Sequence, residues 1–450
     1  RDLVRSRGLG DVYKRQIILF IILFSYFLIL MDNSIIFTST VKIAQSLHMD
    51  KASLSWVSNA YTITFGGFLL LAGRLGDLLG RKRIFLSGLV LFGISSLCIG
   101  LAQNSIQIIT FRAIQGIGSA IIAPTTLALL MDHFEGKERS KAISYYGATP
   151  GIGSSIGLLL GGWLTSTISW RSGFLINVPF TIILIILTLL FVKSTTVHRV
   201  RIDFIGAILS VIAIMTLVYG MTNESIIAVI IGFILLIIFV IFERKLPFAL
   251  MPMSLFKNKV RTGAYVGRFI FMMAMLSYWF ILPQMMQHLY HYTPLQAGIA
   301  FLPLTIINFI AALYLPYFTE KLGNTNVLLL GQIILTLGLI VTASLNPLHG
   351  YWLAIGIPML LVGLSQGWLL APITSAGIHE VDASLSGAAS GMTNTMHQLG
   401  GPIGLSIIVF FTSNITHIIH YYHVVMWLIV IYMIIGFIVL WMTQRQTKSI

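Results

Sequence analysis

The sequence predicts an all-α polytopic membrane protein, and three observations lead to that fold class. Of the 450 residues, 57% are hydrophobic and only 9% are charged, which excludes a soluble globular domain of this size. Apolar runs of about 20 residues, long enough for a helix to cross a bilayer, recur from end to end between short polar breaks. Lys and Arg residues gather in every second break, which gives the runs a common orientation.

We expect fourteen membrane-spanning helices. They cover about residues 17–40, 54–73, 83–103, 106–131, 141–165, 172–193, 204–221, 225–243, 262–284, 295–317, 326–345, 351–372, 387–412 and 422–443. An even number places both termini on one side of the membrane. Only Lys42, Lys51 and Arg171 fall in the outer breaks, so the positive-inside rule predicts cytoplasmic termini.

The first apolar run, residues 17–41, contains one residue that does not fit, Asp32. At ~1.5 Å per residue, Asp32 lies roughly 22 Å into a hydrocarbon layer about 30 Å thick. A charged side chain near the bilayer centre costs about 2.5 to 3.5 kcal/mol, so such a residue normally faces a wet cavity and serves a function. Asp32 is therefore a candidate proton or substrate site. The alternative is a protonated, hydrogen-bonded structural residue beside Asn33 and Ser34.

The second run is followed by residues 73–83, Gly-Arg-Leu-Gly-Asp-Leu-Leu-Gly-Arg-Lys-Arg. Glycines allow two helix ends to approach closely, and Asp77 can face a helix N-terminus or a cation. Positive charge belongs on this side of the membrane. Topology alone would make the segment an ordinary inner loop, but the combined spacing is far more specific.

Two arginines fall inside predicted spans. Arg112 lies in the fourth run, where a buried guanidinium needs a carboxylate or carbonyl groups and could bias the protonation of a nearby acid. The alternative for Arg112 is a side chain that extends to the membrane surface. For Arg268, just inside the ninth run, we prefer that second interpretation.

The chain also repeats itself faintly. Residues 147–152 match 387–392, Ala123-Pro124 matches Ala371-Pro372, and residues 77–80 match 320–323, all at offsets of about 240 residues. The common offset pairs spans 1 to 6 with spans 9 to 14 and is typical of transporters built from two parallel halves. The predicted organisation is a non-native leader (1–16), an N-terminal six-helix bundle (17–193), two inserted helices with inner loops (194–261), a C-terminal six-helix bundle (262–443) and a cytoplasmic tail (444–450).

These motifs together resemble the major facilitator superfamily, and within it the fourteen-span drug:proton antiporter branch of bacterial multidrug exporters. The resemblance extends over nearly the whole chain. It is carried by residues 73–83, which match the signature loop of the superfamily, by Leu30-Met31-Asp32-Asn33-Ser34-Ile35-Ile36 in the first span, by Arg112-Ala113-Ile114-Gln115-Gly116-Ile117-Gly118 in the fourth, and by residues 170–179, Trp-Arg-Ser-Gly-Phe-Leu-Ile-Asn-Val-Pro, before the sixth.

One motif departs from the pattern of that branch. The antiporter glycines of the fifth span are present as Gly153, Gly157, Gly161 and Gly162, but Leu158 stands where the motif has proline. Glycines four residues apart still form a smooth face for close helix packing. The missing proline weakens the prediction of antiport and leaves the prediction of transport intact.

The resemblance implies the major facilitator fold, with a central cavity between the two bundles. It implies secondary-active export of lipophilic, chiefly cationic drugs, antiseptics or dyes in exchange for protons across the bacterial cell membrane by a monomer. Asp32 and Arg112 are the expected coupling residues, and Gly73, Asp77, Gly80 and Arg81 form the expected switch loop. No Gly-Lys-Ser or Gly-Lys-Thr phosphate loop occurs, so we expect no cofactor and an ion gradient as energy source, with H⁺ preferred to Na⁺.

A polyspecific cavity needs aromatic and hydrogen-bonding side chains. The candidates are Asn33, Tyr61, Gln115, Trp279, Gln366 and Asn394, although a single residue of these types in a span more often serves helix packing than a pocket. His417, His420 and His423 have a spacing that could bind a metal, but side chains at the membrane interface explain them better, so we expect no metal site. His397 is either a proton-sensitive group or structural.

Other functions remain open or are disfavoured. An importer, or a narrow-range exporter of a metabolite or lipid, is the main alternative, and a non-transporting membrane sensor or scaffold is the alternative from another class. We expect no enzyme, because the one match to a catalytic motif, the nucleophile-elbow string at residues 153–157, lies inside a predicted membrane helix. We expect no nucleic-acid binding, because the positive charge of +14 follows the membrane topology. The single cysteine, Cys98, excludes an intramolecular disulfide.

Overall fold

The computed structural model describes residues 2–194, 201–381 and 385–445, so parts of the predicted insert (194–261) and tail (444–450) lie outside the described residues. This part of the chain is helical. The α-helices are α1 (Asp2–Leu47), α2 (Lys51–Leu79), α3 (Arg81–Gly100), α4 (Ser105–His133), α5 (Gly136–Thr167), α6 (Trp170–Leu175), α7 (Asn177–Phe191), α8 (Phe204–Thr222), α9 (Ile226–Lys245), α10 (Lys259–Leu289), α11 (Pro294–Ile299), α12 (Leu302–Leu322), α13 (Asn324–Ser344), α14 (Ile357–Gly377), α15 (Ser386–Thr412) and α16 (Ile418–Gln444).

Twelve helical segments within these residues are long and apolar enough to cross a membrane, so the predicted count of fourteen is not confirmed. The two predicted spans outside this set, about 141–165 and 387–412, correspond to α5 and α15. These helices are 32 and 27 residues long, but both are rich in Gly, Ser and Thr. The chain is a multi-pass membrane protein of helical hairpins, with two long helices less apolar than the rest.

Helix boundaries follow from side-chain caps and from glycine. The Asp50 carboxylate accepts a hydrogen bond from the backbone N–H of Ser53 at 2.9 Å and so caps α2. Hydrogen bonding with the side chain of Ser53, and then with its backbone N–H, lowers the pKa of Asp50. Between α2 and α3 only Gly80 intervenes, with φ of 95°, and Gly323 makes the same break between α12 and α13 with φ of 80°. A residue with a side chain would be strained in either conformation.

The helices pack as two sets with the same plan, α1–α7 as the first set and α10–α16 as the second. In the first set, α1 packs on α5 and α4 packs on both α2 and α3; in the second, α10 packs on α15 and α14 packs on both α12 and α13. Gly80 and Gly323 occupy equivalent places in the two sets, as the sequence repeat requires. The helices α8 and α9 pack on each other, and α8 contacts α2 of the first set and α15 of the second.

The two sets pack on each other through α2 and α15. Hydrogen bonds also join them at one end of the molecule, which we call the closed end. Three hydrogen bonds join them there: Lys51 Nζ to the carbonyl of Ile415 at 2.9 Å, Gln287 Nε2 to the carbonyl of Thr38 at 3.2 Å, and the N–H of Leu295 to Ser166 Oγ at 3.0 Å. All three lie where α1, α5 and α15 end and where α2 and α11 begin.

Toward the opposite end, which we call the open end, α5 lacks such contacts. A Cβ added at Gly147 or Gly151 would meet no atom within 4 Å. On the same part of the helix, Tyr145 and Ile152 are 45% and 46% exposed. The first half of α5 is therefore free of the second set, whereas its last half is pressed against α11.

Residues 2–16, predicted to be a non-native leader, continue the helix of α1. Within them, Arg15 donates a hydrogen bond to Glu138 of α5 at 2.7 Å, and both side chains are more than half exposed. An exposed pair of this kind contributes little to stability.

Candidate functional site

Asp32 lies at the centre of a polar cluster inside the first set of helices. It is fully buried where α1 faces α3, α4 and α7. Its Oδ1 accepts hydrogen bonds from Asn177 Nδ2 at 2.7 Å and Gln115 Nε2 at 3.1 Å, and its Oδ2 accepts one from Arg112 Nη1 at 2.9 Å. Three donors and a positive charge therefore compensate the carboxylate for its removal from water.

Arg112 is the second member of the cluster and is also fully buried, so the alternative of a side chain extended to the membrane surface is wrong. Besides Asp32, its guanidinium donates through Nε to the carbonyl of Val57 at 3.0 Å and through Nη1 to Gln115 Oε1 at 2.6 Å. Its Nη2 has no hydrogen-bond partner among the described residues. The prediction that this arginine meets a carboxylate in the membrane interior is confirmed.

Aromatic side chains surround the guanidinium. The ring centroid of Tyr61 lies 4.2 Å from Arg112 Cζ and that of Phe174 lies 5.6 Å away, both within the range of cation–π attraction. The Tyr61 hydroxyl is hydrogen-bonded to Ser119 Oγ at 2.7 Å. Tyr61 and Gln115, expected to line a substrate cavity, are fully buried and belong to this cluster.

Protonation of Asp32 would change the bonding of the whole cluster. It would remove the negative charge that pairs with Arg112, and breaking a buried ion pair by removing one charge costs about 3 to 5 kcal/mol. The guanidinium would keep the Val57 carbonyl and Gln115 as partners, and its Nη2 would still have none among the described residues.

Two further members of the cluster were not assigned a role from the sequence. Asn177 supplies the shortest hydrogen bond to Asp32, and Ser96 Oγ lies 2.8 Å from Gln115 Nε2. Asn177 belongs to the motif of residues 170–179, so the sequence contained a reason to select it. Ser96 carries no signal, because a serine in an apolar run usually bonds to its own helix backbone.

Residues 73–83 form the end of α2 and the start of α3, joined by a tight turn at Gly80 rather than by a loop. Arg81 donates through Nη2 to Asp77 at 3.0 Å and through Nη1 to Asp132 at 2.5 Å. Asp77 therefore faces a cation, which is one of the two predicted options. Asp132, which sequence analysis did not single out, fastens the turn to the end of α4. Gly73 lies within α2, where an added Cβ would contact Pro124 at 3.7 Å.

The glycines of α5 make two different contacts. A Cβ at Gly157 or Gly161 would lie 2.5 Å from the carbonyl oxygen of Met31 or 2.7 Å from that of Ile35, and one at Gly153 would lie 3.1 Å from Leu30 Cβ. These three glycines pack against α1 within the first set.

Gly162 faces the other way, toward α11 of the second set, where a Cβ would lie 2.6 Å from the carbonyl oxygen of Pro294. Leu158 is buried, and its carbonyl oxygen lies 2.6 Å from the Cβ position of Gly298, also on α11. The residue that replaces the motif proline therefore sits at the contact between the two sets.

The remaining cavity candidates do not gather in one place. Trp279 is half-buried and its ring lies 6.3 Å from that of Phe37, across the contact of α10 with α1. Gln366 is buried and its Nε2 lies 3.1 Å from Met275 Sδ, so it joins α14 to α10. Asn33 is half-buried with an unpartnered Oδ1, and Asn394 is exposed.

A second polar cluster was missed and corrects the interpretation of Arg268. This residue is 7% exposed and does not extend to the membrane surface. Its Nε donates to His397 Nδ1 at 2.9 Å and its Nη1 to the carbonyl of Leu370 at 3.2 Å. His397, which was weighed as a proton-sensitive or structural group, is thus the partner of an arginine that has no carboxylate partner among the described residues.

The histidines near the start of α16 serve structural roles here. His417 Nδ1 caps the helix by accepting from the N–H of His420, and His423 Nδ1 lies 3.0 Å from the carbonyl of Ala343. Within the residues that the structure describes, no group of three or more His, Cys, Asp or Glu side chains is placed to bind a metal.

Comparison with known proteins places this geometry in context. A family model described as Major Facilitator Superfamily matches residues 22–405. The chain is 33% identical over 411 residues to the cephamycin export protein of Amycolatopsis lactamdurans, with 87% of this chain and 83% of that protein covered.

Other relatives carry resistance names. The puromycin resistance protein of Streptomyces alboniger is 30% identical over 408 residues, with 87% of this chain and 80% of that protein covered. Multidrug resistance protein 3 of Bacillus subtilis is 29% identical over 398 residues, with 86% and 77% covered.

Solved structures show the same fold at low identity. A bacterial homologue of the human lysosomal transporter Spinster, in an inward-facing and unoccupied conformation, aligns with a TM-score of 0.71 at 13% identity, over 96% of this chain and 97% of that one. A peptide transporter in complex with sulfate aligns with a TM-score of 0.71 at 16% identity, over 97% and 94%.

Proposed function

The chain belongs to the Major Facilitator Superfamily, and on that premise we propose that it is a secondary-active exporter of lipophilic drugs, antiseptics or dyes in exchange for protons. The named relatives export or confer resistance to antibiotics, which supports export over import. H⁺ is the proposed coupling ion, because a single carboxylate can bind a proton whereas Na⁺ needs several oxygen ligands. No cofactor takes part in the proposed cycle, and a monomer is the proposed working unit.

We infer fourteen spans in the bacterial cell membrane, with α5 and α15 added to the twelve more apolar segments. Both are long enough to cross a bilayer, and each packs along a span of its own set, α1 or α10. The positive-inside rule then puts the open end, and both termini, in the cytoplasm. The closed end faces outward, so the described conformation is the one that admits substrate from inside.

The observation that carries the proposal is the ion pair of Asp32 with Arg112. Both side chains are fully buried, and Nη1 lies 2.9 Å from Oδ2. A purely structural core gains little from such a pair, since apolar residues of similar volume are often as stabilising. A coupling site needs a carboxylate that can exchange its arginine for a proton, and the buried pair supports that role for Asp32.

The proposed cycle has four steps. A drug enters from the open end while Asp32 is ionised and paired with Arg112. The two sets rock, which parts the closed end. A proton from outside binds Asp32, releases Arg112 and lowers the affinity for the drug, which leaves. The protonated protein returns and Asp32 releases its proton inside. Cationic drugs are favoured, because they and the proton compete for the same negative charge.

The test is transport of ethidium into inverted membrane vesicles by wild type and Asp32→Asn, under an imposed pH gradient and then an imposed Na⁺ gradient. We expect wild type to move the dye with the pH gradient alone. Asp32→Asn should show no gradient-driven transport, although the amide keeps the volume of the side chain. Equal amounts of folded protein in the membrane are the control.

Two outcomes would count against this proposal. Proton-driven transport by Asp32→Asn at the wild-type rate would remove Asp32 from coupling. Absence of dye transport by wild type under either gradient would favour a narrow-range exporter. Several relatives have names that refer to single antibiotics, which fits that alternative. That alternative also fits Leu158, which replaces the antiporter proline.

A further inference from the structure

A second buried acidic site lies outside the proposed transport pathway, at the open end of the α8–α9 hairpin. Asp203 precedes α8 and Glu243 lies two residues before the end of α9. Their exposures are 3% and 2%, so both carboxyl groups are removed from water. Neither forms an ion pair with any described residue.

The two carboxyl groups have the same pattern of hydrogen bonding. Asp203 Oδ1 accepts a hydrogen bond from the N–H of Gly206 at 2.8 Å, and Glu243 Oε2 accepts one from the N–H of Met251 at 2.8 Å. The other oxygens, Asp203 Oδ2 and Glu243 Oε1, have no partner among the described residues. Each group therefore has one satisfied oxygen and one buried oxygen that lacks a donor.

The unpartnered oxygens meet at one point. A Cβ built on Gly206 would lie 2.1 Å from Asp203 Oδ2 and 2.4 Å from Glu243 Oε1. Two oxygens that close to a common point are neighbours, and only a glycine leaves room for them. Two adjacent buried carboxylates repel each other strongly, so they do not both ionise. One proton shared between them supplies the missing donor as a strong O–H···O⁻ hydrogen bond.

We propose that Asp203 and Glu243 form a proton-binding site that holds one proton between them and fastens the linker 246–252 to the α8–α9 hairpin. The bond from Met251 to Glu243 is the attachment of the linker. Leu250 of the same linker packs with Ala207 of α8 and Leu71 of α2 in a small buried cluster. Release of the proton charges both groups, separates them and frees the linker from α2.

Other charged groups nearby do not replace the proton. Arg74 on α2, Arg201 before α8, and Arg244 and Lys245 at the end of α9 lie on the elements packed around the pair, yet none bonds to either carboxyl group. The guanidinium of Arg201 instead lies 5.7 Å from the ring centroid of Phe248. The site is separate from the Asp32 cluster, which belongs to other helices.

The test is hydrogen–deuterium exchange of the linker peptide that contains Met251, in purified full-length protein, corrected for the intrinsic effect of pH. If opening releases one proton, the opening equilibrium of wild type should rise about tenfold per pH unit above the pH at which the separated carboxyl groups ionise. The rise should stop at the pH at which the closed pair itself loses its proton. Glu243→Gln should abolish this slope and keep the linker protected, because its amide can donate to Asp203 Oδ2 at any pH. Asp203→Asn should behave alike.

Two controls separate the site from transport and from steric effects. Asp32→Asn should keep the wild-type slope, so the result does not depend on whether the protein exports drugs. Gly206→Ala should expose the linker even at low pH, because the added Cβ displaces both oxygens. A wild-type linker with no pH slope would overturn the proposal, as would protection that depends on added Na⁺ or Ca²⁺ instead of pH.

Discussion

Arg112 and Asp32 show how charged side chains are stabilised inside a membrane protein. Burial of either charge alone would be strongly unfavourable, but the two opposite charges stabilise each other. Gln115 and Asn177 donate the remaining hydrogen bonds to the carboxylate. The ring of Tyr61 adds a cation–π contact to the guanidinium. Removal of one partner should therefore harm folding more than removal of both.

A double-mutant cycle tests this dependence. Arg112→Met leaves the Asp32 charge buried without its partner and should lower the stability of the purified protein by about 3 to 5 kcal/mol. Arg112→Met combined with Asp32→Asn should recover most of that loss, because no unpaired charge remains. Unfolding monitored in the same detergent gives the four stabilities. Additive effects of the two substitutions would show that the pair is not coupled in the folded protein.

At the scale of elements, the two halves of α5 have different surroundings. Its glycines at 153, 157 and 161 bring its backbone against α1, and its last turns meet α11 of the other set. Its first half has open space beside it. Glycine is therefore required in the second half of α5 and can be replaced in the first half.

Gly157→Ala and Gly151→Ala form a matched pair on this helix. The Cβ at residue 157 would lie 2.5 Å from a backbone oxygen of α1, so α1 and α5 must separate, and the yield of folded protein should fall severalfold. At residue 151 the Cβ meets no atom within 4 Å, and alanine should stabilise the helix by about 0.5 to 1 kcal/mol. Size-exclusion chromatography and thermal unfolding report both effects. Equal effects would contradict the assigned packing.

The turn between α2 and α3 makes another prediction at this scale. Asp77 is 38% exposed, so its ion pair with Arg81 contributes roughly 0 to 1 kcal/mol to stability. Asp77→Asn should therefore leave folding and drug binding nearly unchanged, yet reduce dye transport, because the turn connects helices that must move together. Binding and transport measured on the same membranes decide this. If binding falls as much as transport, the turn is not a switch.

At the scale of the whole molecule, the two sets of helices are joined at the closed end and apart beside α5 at the open end. At the closed end three hydrogen bonds join the sets, and no ion pair among the described residues does so. These contacts can part while the packing of α2 on α15 remains, as a rocking movement requires. Fixing this end should therefore stop transport.

A cysteine pair at Ser166 and Leu295 tests that movement, in a background with Cys98→Ser. The N–H of Leu295 lies 3.0 Å from Ser166 Oγ, so a short cross-linker that forms a disulfide bond with each of the two thiols should join the two positions in this conformation. Cross-linked protein should lose at least about nine-tenths of its dye transport, because alternating access requires the closed end to part. Reduction should restore transport. Full transport by the cross-linked protein would exclude rocking about this contact. Each single cysteine variant is the control.

The sequence by itself determined the helical membrane fold and the residues that do not belong in a membrane. Apolar runs, the arginine and lysine pattern and the offset of about 240 residues depend only on local chemistry and can be read along the chain. Asp32 and Arg112 stood out for the same reason, since a charge in an apolar run is costly wherever the helix packs. The count of spans was less secure, because Gly and Ser in α5 and α15 lower hydropathy without shortening the helix.

Only the tertiary structure decided which of these residues meet. Asn177 and Asp32 are 145 residues apart, and their 2.7 Å hydrogen bond depends on how α7 packs against α1. Arg268 was misjudged because its partner, His397, lies on another helix. The same holds for Asp203 and Glu243, which look like surface charges until α8 and α9 pair. Which side chains meet depends on how each helix is rotated about its axis and on the angle at which two helices cross. Hydrocarbon surrounds every face of a helix alike, so an apolar sequence does not mark which face packs against a neighbour.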